Sequence, residues 1–307
     1  MNEVVKLPEG VRVLERGWLS SNNVLLTGRH GTALVDSGYH THAVQTVGLV
    51  QTALGNRKLD VLVNTHLHSD HCGGNAALQN AYPQLRTFIP PGQAADVIDW
   101  DPVALTYEPT GQSCPRFRVE STVNAGSVIR LGDLDWKVLA APGHDAHSVI
   151  LFEPKSCTLI SADALWEHGF GVVFLELEGV GAFDDVGTTF DLIESLRPKL
   201  VIPGHGRVFT DTDRALATAR RRLDAYRADP LRHANHAAKV LLKFKLLDVQ
   251  QILLPDLMDW ALTTAYFRII FSRYFWDLQF EAWIASLIAD LERSGAARVA
   301  NGLAENA

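Results

Sequence analysis

Apolar and polar residues alternate in short runs at the start of the chain, and the period then lengthens. Runs of β-branched and aliphatic residues separated by turn residues predict a small antiparallel meander, with strands at Val11–Leu14, Asn23–Thr27 and Thr32–Asp36. From His42 to Leu54 the apolar residues recur at helical spacing, and Gly55 follows as a helix-ending glycine. The opening order is therefore strands, a helix, and a further strand predicted by the apolar run Val61–Val63.

A second β-rich block follows an irregular stretch. Residues 90–117, the covering segment, are rich in proline and contain one helical run, Gln93–Asp99. Beyond them, apolar runs predict four strands at Ser127–Leu131, Trp136–Ala140, Val149–Phe152 and Thr158–Ile160. A helix ended by Pro198 then precedes the buried strand Leu200–Ile202, and another helix spans about residues 212–228. Two β-rich blocks, each followed by helices, predict a mixed α/β (α+β) fold.

The pattern changes near residue 230. From Leu231 onward the periodicity indicates helices alone, with few glycines before Gly295. We therefore predict two domains, residues 1–229 and a helical domain at 230–307. Crowded aromatic side chains between Tyr266 and Trp283 favour a helical lid or a dimerisation element, through which the chain would form a homodimer.

Composition and charge narrow the classes of function. The 307 residues carry a net charge of -7 without a Lys/Arg-rich block, which argues against nucleic acid or an anionic membrane surface as the main partner. The segment Met1–Lys6 and its neighbours lack the apolar core of a signal peptide, and no apolar run is long enough for a spanning helix. Three unevenly placed cysteines disfavour a disulfide framework. These features predict a cytoplasmic protein with reduced thiols.

One stretch carries a clear chemical signal. His66, His68, Asp70 and His71 fall within six residues directly after the apolar run at 61–63. Imidazole and carboxylate groups suit zinc, iron or manganese, and this spacing can direct ligands toward two adjacent ions. The stretch therefore predicts a metal site.

Three later residues stand in equivalent places, each after a short apolar strand. His144 and His205 both follow a Pro-Gly pair, and Asp163 follows Ser161-Ala162. Loops beyond strand ends are where rigid scaffolds present functional groups, and Pro-Gly turns the chain sharply. The sequence thus offers five histidines and two aspartates to a metal site.

These motifs, His66-Leu67-His68-Ser69-Asp70-His71, Pro142-Gly143-His144, Ser161-Ala162-Asp163 and Pro203-Gly204-His205, together resemble the metallo-β-lactamase superfamily. The resemblance implies an αββα four-layer sandwich over residues 11 to about 210. It further implies one ion held by His66, His68 and His144, a second held by Asp70, His71 and His205, and Asp163 bridging them. The ions are expected to be zinc, with iron and manganese as alternatives. Two such ions would generate a hydroxide nucleophile, and Asp70 could pass a proton to the leaving group.

The superfamily includes hydrolases of thioesters, lactones, β-lactams and phosphodiesters, so the substrate needs separate evidence. Residues 162–172 resemble the glyoxalase II segment that ends in a glutathione-binding basic residue, but Val172 occupies that position here. We therefore expect a small-molecule acyl substrate, with hydrolysis of a thioester or another activated ester or lactone, rather than true glyoxalase II activity. Aromatic and polar residues near the ligands, namely His147, Trp166 and Phe170, are the predicted substrate contacts.

Two alternatives stay open at the level of sequence. A sulfur dioxygenase with a single iron needs only part of this ligand set. The helices beyond residue 230, with the segment Leu291–Val299, weakly resemble a winged-helix domain, which raises a nucleic-acid-binding or signalling role with a regulatory metal centre. The acidic final helix, with Glu281, Asp290 and Glu292, argues against nucleic acid.

Overall fold

The computed structural model describes residues 6–307. Residues 1–5, on which part of the expectation of no signal peptide rests, lie outside the described residues. Within residues 6–307, none of the helices reaches both the length and the apolar character that a membrane crossing demands.

The first half of the chain forms a six-stranded sheet whose strands lie in chain order. They are β1 (Val11–Leu14), β2 (Asn23–Gly28), β3 (Gly31–Val35), β4 (Val61–Val63), β5 (Arg86–Ile89) and β6 (Ser121–Thr122). The first three strands are antiparallel, as the predicted meander requires, whereas β3 to β6 are parallel. The carboxyl ends of β3 and β4 consequently lie side by side, and β4 leads directly into the histidine-rich stretch.

The second β-rich block forms a five-stranded sheet in the order β11-β10-β9-β8-β7. Its strands are β7 (Val128–Leu131), β8 (Leu134–Ala140), β9 (Val149–Glu153), β10 (Thr158–Ala162) and β11 (Leu200–Pro203). All neighbours are antiparallel except the parallel pair β10 and β11, whose carboxyl ends present Asp163 and His205 at one edge.

The two sheets pack face to face with helices on both outer surfaces. Side chains from both sheets, such as Val63 and Leu151, share one core with the fully buried Trp136. Helices α1 (Ala43–Leu54) and α3 (Asn75–Ala81) cover the first sheet, and α6 (Phe183–Leu196) and α7 (Thr212–Ala228) cover the second. Because successive strand residues point to opposite faces, each strand contributes to an inner and an outer core. The predicted four-layer αββα architecture is confirmed.

Three short helices complete this part of the chain, namely α2 (Ser69–Cys72), α4 (Ala94–Asp99) and α5 (Phe174–Glu178). Helix α2 lies within the histidine-rich stretch, and α4 lies in the covering segment, where the sequence predicts a helix. The strand β5, which sequence periodicity does not identify, is inserted next to β4 by parallel pairing.

The last part of the chain contains four helices and a small sheet. Its elements are α8 (Pro230–Val249), β12 (Gln251–Leu253), α9 (Leu254–Thr263), α10 (Ala265–Tyr274), α11 (Phe280–Arg293), β13 (Ala297–Ala300) and β14 (Leu303–Asn306). The sheet order is β12-β14-β13, so the expectation of helices alone is wrong for these three strands, which have only three or four residues each and are too short to show a period. Asp229 accepts a hydrogen bond from the backbone N–H of Arg232 and begins α8 at the predicted boundary.

The core of this region is apolar and also includes Val172 and Leu177 from the preceding part of the chain. Packing is therefore continuous across residue 229, and the division into two domains stays a prediction. The winged-helix resemblance likewise stays a prediction.

We expect Leu242→Ala to destabilise the protein much more than Leu262→Ala. Leu242 is fully buried in the C-terminal core, whereas Leu262 is 37% exposed on α9. The buried substitution leaves a cavity and should lower the free energy of unfolding by about 2–5 kcal/mol. The exposed one should change it by about 0.5 kcal/mol or less. Urea denaturation of both variants measures the difference, and equal losses would contradict the packing described.

Candidate metal centre

The histidine-rich stretch consists of a bend followed by one helical turn. After β4 the chain bends at Thr65 and His66 and is extended at His68, where His66 and His68 face the same space and Leu67 is buried. Helix α2 then begins at Ser69, and its turn directs Asp70 and His71 toward the same space. Four potential ligands thus come from six consecutive residues.

The first group of ligands consists of His66, His68 and His144, whose ligating nitrogens lie within 4.8 Å of one another. Nδ1 of His68 and Nε2 of His144 are 2.8 Å apart. Nδ1 of His144 donates a hydrogen bond to the carbonyl oxygen of Val172 at 2.6 Å, which leaves its Nε2 free to bind an ion.

The second group consists of Asp70, His71, Asp163 and His205, again with ligating atoms within 4.8 Å. Nε2 of His205 lies 3.0 Å from Oδ2 of Asp70. Oδ1 of Asp163 lies 3.4 Å from Nε2 of His71, and its Oδ2 lies 3.4 Å from Nε2 of His144 in the first group. Asp163 therefore reaches both groups, and the structure brings all seven sequence-predicted ligands together.

Unsatisfied nitrogen atoms indicate that these groups fit metal ions. Among the described residues, Nε2 of His66, Nε2 of His71 and Nδ1 of His205 are buried without a hydrogen-bond partner. Buried polar atoms normally have a partner. The Nε2 atoms of His66 and His71 face the other ligands, so a bound cation would be their partner. Imidazole together with carboxylate suits zinc, iron and manganese. The residues present therefore fit divalent metal ions.

Burial and neighbouring charges keep His66, His144 and Asp163 in the protonation states that bind metal, namely neutral imidazole and ionised carboxylate. Burial lowers the pKa of His66 well below 6.5 and, with the nearby His68, lowers the pKa of His144 to about 4, so both are neutral at neutral pH. Burial would raise the pKa of Asp163, but the imidazoles of His71 and His205 hold it well below its usual range. Asp163 is consequently a carboxylate at neutral pH.

His71 differs from its neighbours. Burial would lower the pKa of its imidazole, but the carboxylates of Asp163, Asp36 and Asp70 together raise it well above its usual value. Without a metal ion, His71 therefore holds a proton that a cation must displace.

Asp36, which the sequence did not single out, orients His71. Its Oδ2 accepts hydrogen bonds from Nδ1 of His71 at 2.8 Å and from the hydroxyl of Thr65 at 2.8 Å, and its Oδ1 accepts one from the Thr65 backbone N–H at 2.9 Å. Asp36 follows β3 as Asp163 follows β10, so its place at a strand end was a usable signal. Its hydrogen bond leaves Nε2 of His71 directed at the second group.

Two glycines give the ligands the space they need. A Cβ atom on Gly204 would lie 2.1 Å from Oδ1 of Asp163, and one on Gly171 would lie 2.3 Å from Nδ1 of His144. Either contact would displace a ligand, so these positions admit glycine alone without a shift of the centre.

Aromatic side chains border the second group. The indole of Trp18 stacks on His205 with ring centroids 5.3 Å apart and contacts Trp166 edge-on, also at 5.3 Å. Nε1 of Trp166 donates to Oδ1 of Asp163 at 3.1 Å. The predicted residue Trp166 therefore lies at the centre, and Trp18, which is 58% exposed, was missed because its segment carries no motif.

The other two predicted substrate contacts are Phe170 and His147. Phe170 is buried and its ring packs against Phe190 and Tyr226, and a role for it toward substrate stays a prediction. His147 is exposed and lies against Gly92 of the covering segment. A role for His147 toward substrate stays a prediction.

Comparisons with known proteins agree with this geometry. Residues 16–205 match the family model described as the metallo-beta-lactamase superfamily. Across almost the whole chain, the fold is similar to a metallo-beta-lactamase family protein from Thermus thermophilus. That match has a TM-score of 0.60 and 16% identity, and it covers 98% of this chain and 100% of the other.

Two sequence relatives have names that refer to thioester substrates. The chain is 28% identical to a hydroxyacylglutathione hydrolase of Mesorhizobium japonicum over 52% of its own length and 51% of that hydrolase. It is 26% identical to acyl-coenzyme A thioesterase MBLAC2 of Homo sapiens over 64% of its own length and 78% of the thioesterase. The chain thus spans about half the length of the bacterial hydrolase.

We expect Asp36→Asn to weaken metal binding about 10- to 100-fold, because the amide no longer orients His71 as the carboxylate does. Titration of the metal-free protein against a chromogenic chelator measures the change. Asp60→Asn is the matched control, since Asp60 accepts a hydrogen bond from Thr32 at the opposite ends of the same strands. Equal affinities of the two variants would contradict the role given to Asp36.

Proposed function

Because this chain belongs to the metallo-beta-lactamase superfamily, we propose that it is a hydrolase that uses two divalent metal ions to cleave a thioester or another activated ester or lactone. The observation that carries the proposal is the pair of ligand groups joined by Asp163. A complete second group favours two ions over the single iron of a sulfur dioxygenase.

In this proposal His66, His68 and His144 would hold one ion, Asp70, His71 and His205 would hold the other, and Asp163 would contribute to both sites. Zinc is the proposed metal, and iron or manganese would accept the same donors. When bound, such ions supply a hydroxide nucleophile at neutral pH and polarise the acyl carbonyl.

The chain's own residues position groups and move a proton. Asp36 keeps the ring of His71 in one orientation, and the Val172 carbonyl does the same for His144. Asp70, whose side chain is less buried than those of Asp163 and His71, can carry a proton to the departing thiolate or alkoxide. The His71 and His205 imidazoles hold the pKa of Asp70 below its usual value, against the effect of burial.

The proposed substrate is a small acyl thioester that is not recognised through glutathione. The position expected to hold a glutathione-binding basic residue is Val172, which is buried and packs in the C-terminal core. Trp18 and Trp166 instead offer an apolar border beside the second group, which suits an acyl chain or ring. Both named relatives act on thioesters by their names, which supports a thioester, whereas the proposal of a substrate without glutathione rests on Val172.

The expectations about partners, cellular location and oligomeric state stay predictions. The acidic residues on α11 give no support to nucleic acid as a partner. A cytoplasmic location and a homodimer formed through the C-terminal helices are proposed on the sequence features alone.

The proposal is tested by removing metal with a chelator and reloading zinc, iron or manganese separately. We expect hydrolysis of acyl-coenzyme A thioesters or simple lactones, with weaker turnover of a glutathione thioester, a β-lactam and a phosphodiester. Asp70→Asn should lower kcat by about 100-fold or more. Asp184→Asn, on the exposed side of α6, is the control. A fully loaded protein that cleaves none of the esters would exclude the proposed activity.

We expect Trp18→Ala to lower kcat/KM for an apolar acyl substrate by about 2- to 10-fold, mainly through KM, because an aromatic contact contributes about 0.5–1.5 kcal/mol. The control is Trp276→Ala, which removes a 74% exposed tryptophan from the C-terminal region. Metal content is measured in both variants, because Trp18 also stacks on His205. A loss of metal without a change in KM would assign Trp18 to the ligand rather than to the substrate.

A further inference from the structure

Two cysteine thiols meet next to the metal ligands. The Sγ atoms of Cys72 and Cys114 are 3.8 Å apart, although the residues are 42 positions apart in sequence. Cys72 is the last residue of α2 and follows His71 directly, and Cys114 lies in the covering segment. The contact therefore joins the helix that carries two ligands to the segment that lies over it.

The two thiols differ in their access to solvent. Cys72 is fully buried, whereas Cys114 is partly exposed between the exposed residues Ser113 and Pro115. The Cys72 thiol is also close to the hydroxyl of Tyr107 at 3.2 Å and to the carbonyl oxygen of His68 at 3.3 Å. A small molecule can thus reach the sulfur of Cys114, and the sulfur of Cys72 lies directly behind it.

The backbone on the Cys114 side can make the remaining approach. A disulfide bond needs about 2.05 Å between sulfurs. Helix α2 has little freedom to move, because Gly73 at its end lies so close to the neighbouring chain that a Cβ atom there would be 2.6 Å from the backbone nitrogen of His40. Residues 113–116 of the covering segment belong to no helix or strand, and all but Cys114 are exposed, so this part of the segment can move toward α2.

We propose that Cys72 and Cys114 are a reversible oxidation site that reacts with low-molecular-weight disulfides to form an intramolecular disulfide bond. The Cys114 thiol loses its proton, and the resulting thiolate attacks one sulfur of the reagent, which breaks the reagent's disulfide bond and releases one small thiolate that takes up a proton. The Cys72 thiol likewise loses its proton and attacks the Cys114 sulfur of the mixed disulfide, which releases the second small thiolate, and this also takes up a proton. Two protein thiols are oxidised and one reagent disulfide is reduced to two thiols.

The bond would tie the covering segment to α2. The segment already contacts α2 through the hydroxyl of Ser69, which donates to the side-chain oxygen of Gln112, and contacts Tyr39 through the Ser113 N–H at 3.3 Å. A covalent link adds to these contacts and restricts opening of the segment around residues 113–118. This inference stands whichever ester the centre cleaves.

The test uses the full-length, metal-loaded protein incubated with graded ratios of oxidised to reduced glutathione. Acid quenching, alkylation and peptide mass spectrometry then report the state of each thiol. We expect Cys72 and Cys114 to become linked, which lowers the mass of the joined peptides by two hydrogens. Of the three cysteines that are free in the reduced protein, only Cys157 should then still react with the alkylating reagent or carry glutathione. A lasting glutathione adduct on Cys114 with Cys72 still alkylatable, or no reaction at either residue, would overturn the proposal.

Variants separate the two chemical steps. Cys72→Ser should keep a glutathione adduct on Cys114 that does not resolve, whereas Cys114→Ser should leave Cys72 unreacted. Cys157→Ser is the control and should leave the cross-link unchanged, because the Cys157 thiol contacts the carbonyl oxygen of Pro154 instead. A cross-link in the wild type that persists in Cys114→Ser would also overturn the assignment.

A second measurement follows how readily a protease cleaves the covering segment, and it does not need a substitution at the buried Cys72. Oxidation should slow tryptic cleavage after Arg116 and Arg118, and reduction with dithiothreitol should restore it. The same treatment of Cys114→Ser should leave cleavage unchanged. Equal cleavage rates of the oxidised and reduced wild type would contradict the proposed restriction of the segment.

Discussion

The burial of five imidazoles and two carboxylates in one small space is the constraint that the rest of this structure accommodates. Ionisable groups withdrawn from water are costly unless they are paired, hydrogen-bonded or bound to a cation. Here the carboxylates face the imidazoles, Nδ1 of His71 is hydrogen-bonded to Asp36, and Nδ1 of His144 is hydrogen-bonded to the Val172 carbonyl. Parallel strands in each sheet bring the contributing loops to one edge, so that the groups reach one another without distortion of either sheet.

The metal ligands could be predicted from sequence because each follows a strand end, and the spacing of the first four is itself a signal. The residues that orient them were harder to predict. Asp36 occupies the same kind of position, but a lone aspartate after a strand is common. Trp18 reaches His205 only through tertiary folding. The packing of the Phe170 ring in the core likewise depends on tertiary folding, and its position in sequence near Trp166 does not indicate it.

The fold could also be predicted from the sequence, because most of its strands and helices leave a periodic pattern of apolar residues. Periodicity identified the strands that alternate and the helices with one apolar face, and it failed for β12, which has three residues, and for β5, which pairing with β4 stabilises. The contact between the thiols of Cys72 and Cys114 has no sequence signal either, since it depends on how the covering segment folds back. Contacts between the C-terminal helices and that segment are equally non-local. The Tyr266 backbone N–H donates to the Pro109 carbonyl oxygen at 3.0 Å, and the Trp260 ring lies against Gly111.

The position of Asp163 couples the two ligand groups through one side chain. One of its oxygen atoms faces His71 and the other faces His144, so a single rotamer serves both groups. A change of that rotamer would withdraw an oxygen atom from both groups at once. The two groups therefore share one conformational requirement, and the Nε1–H of Trp166, which donates to Oδ1 of Asp163, helps to hold it.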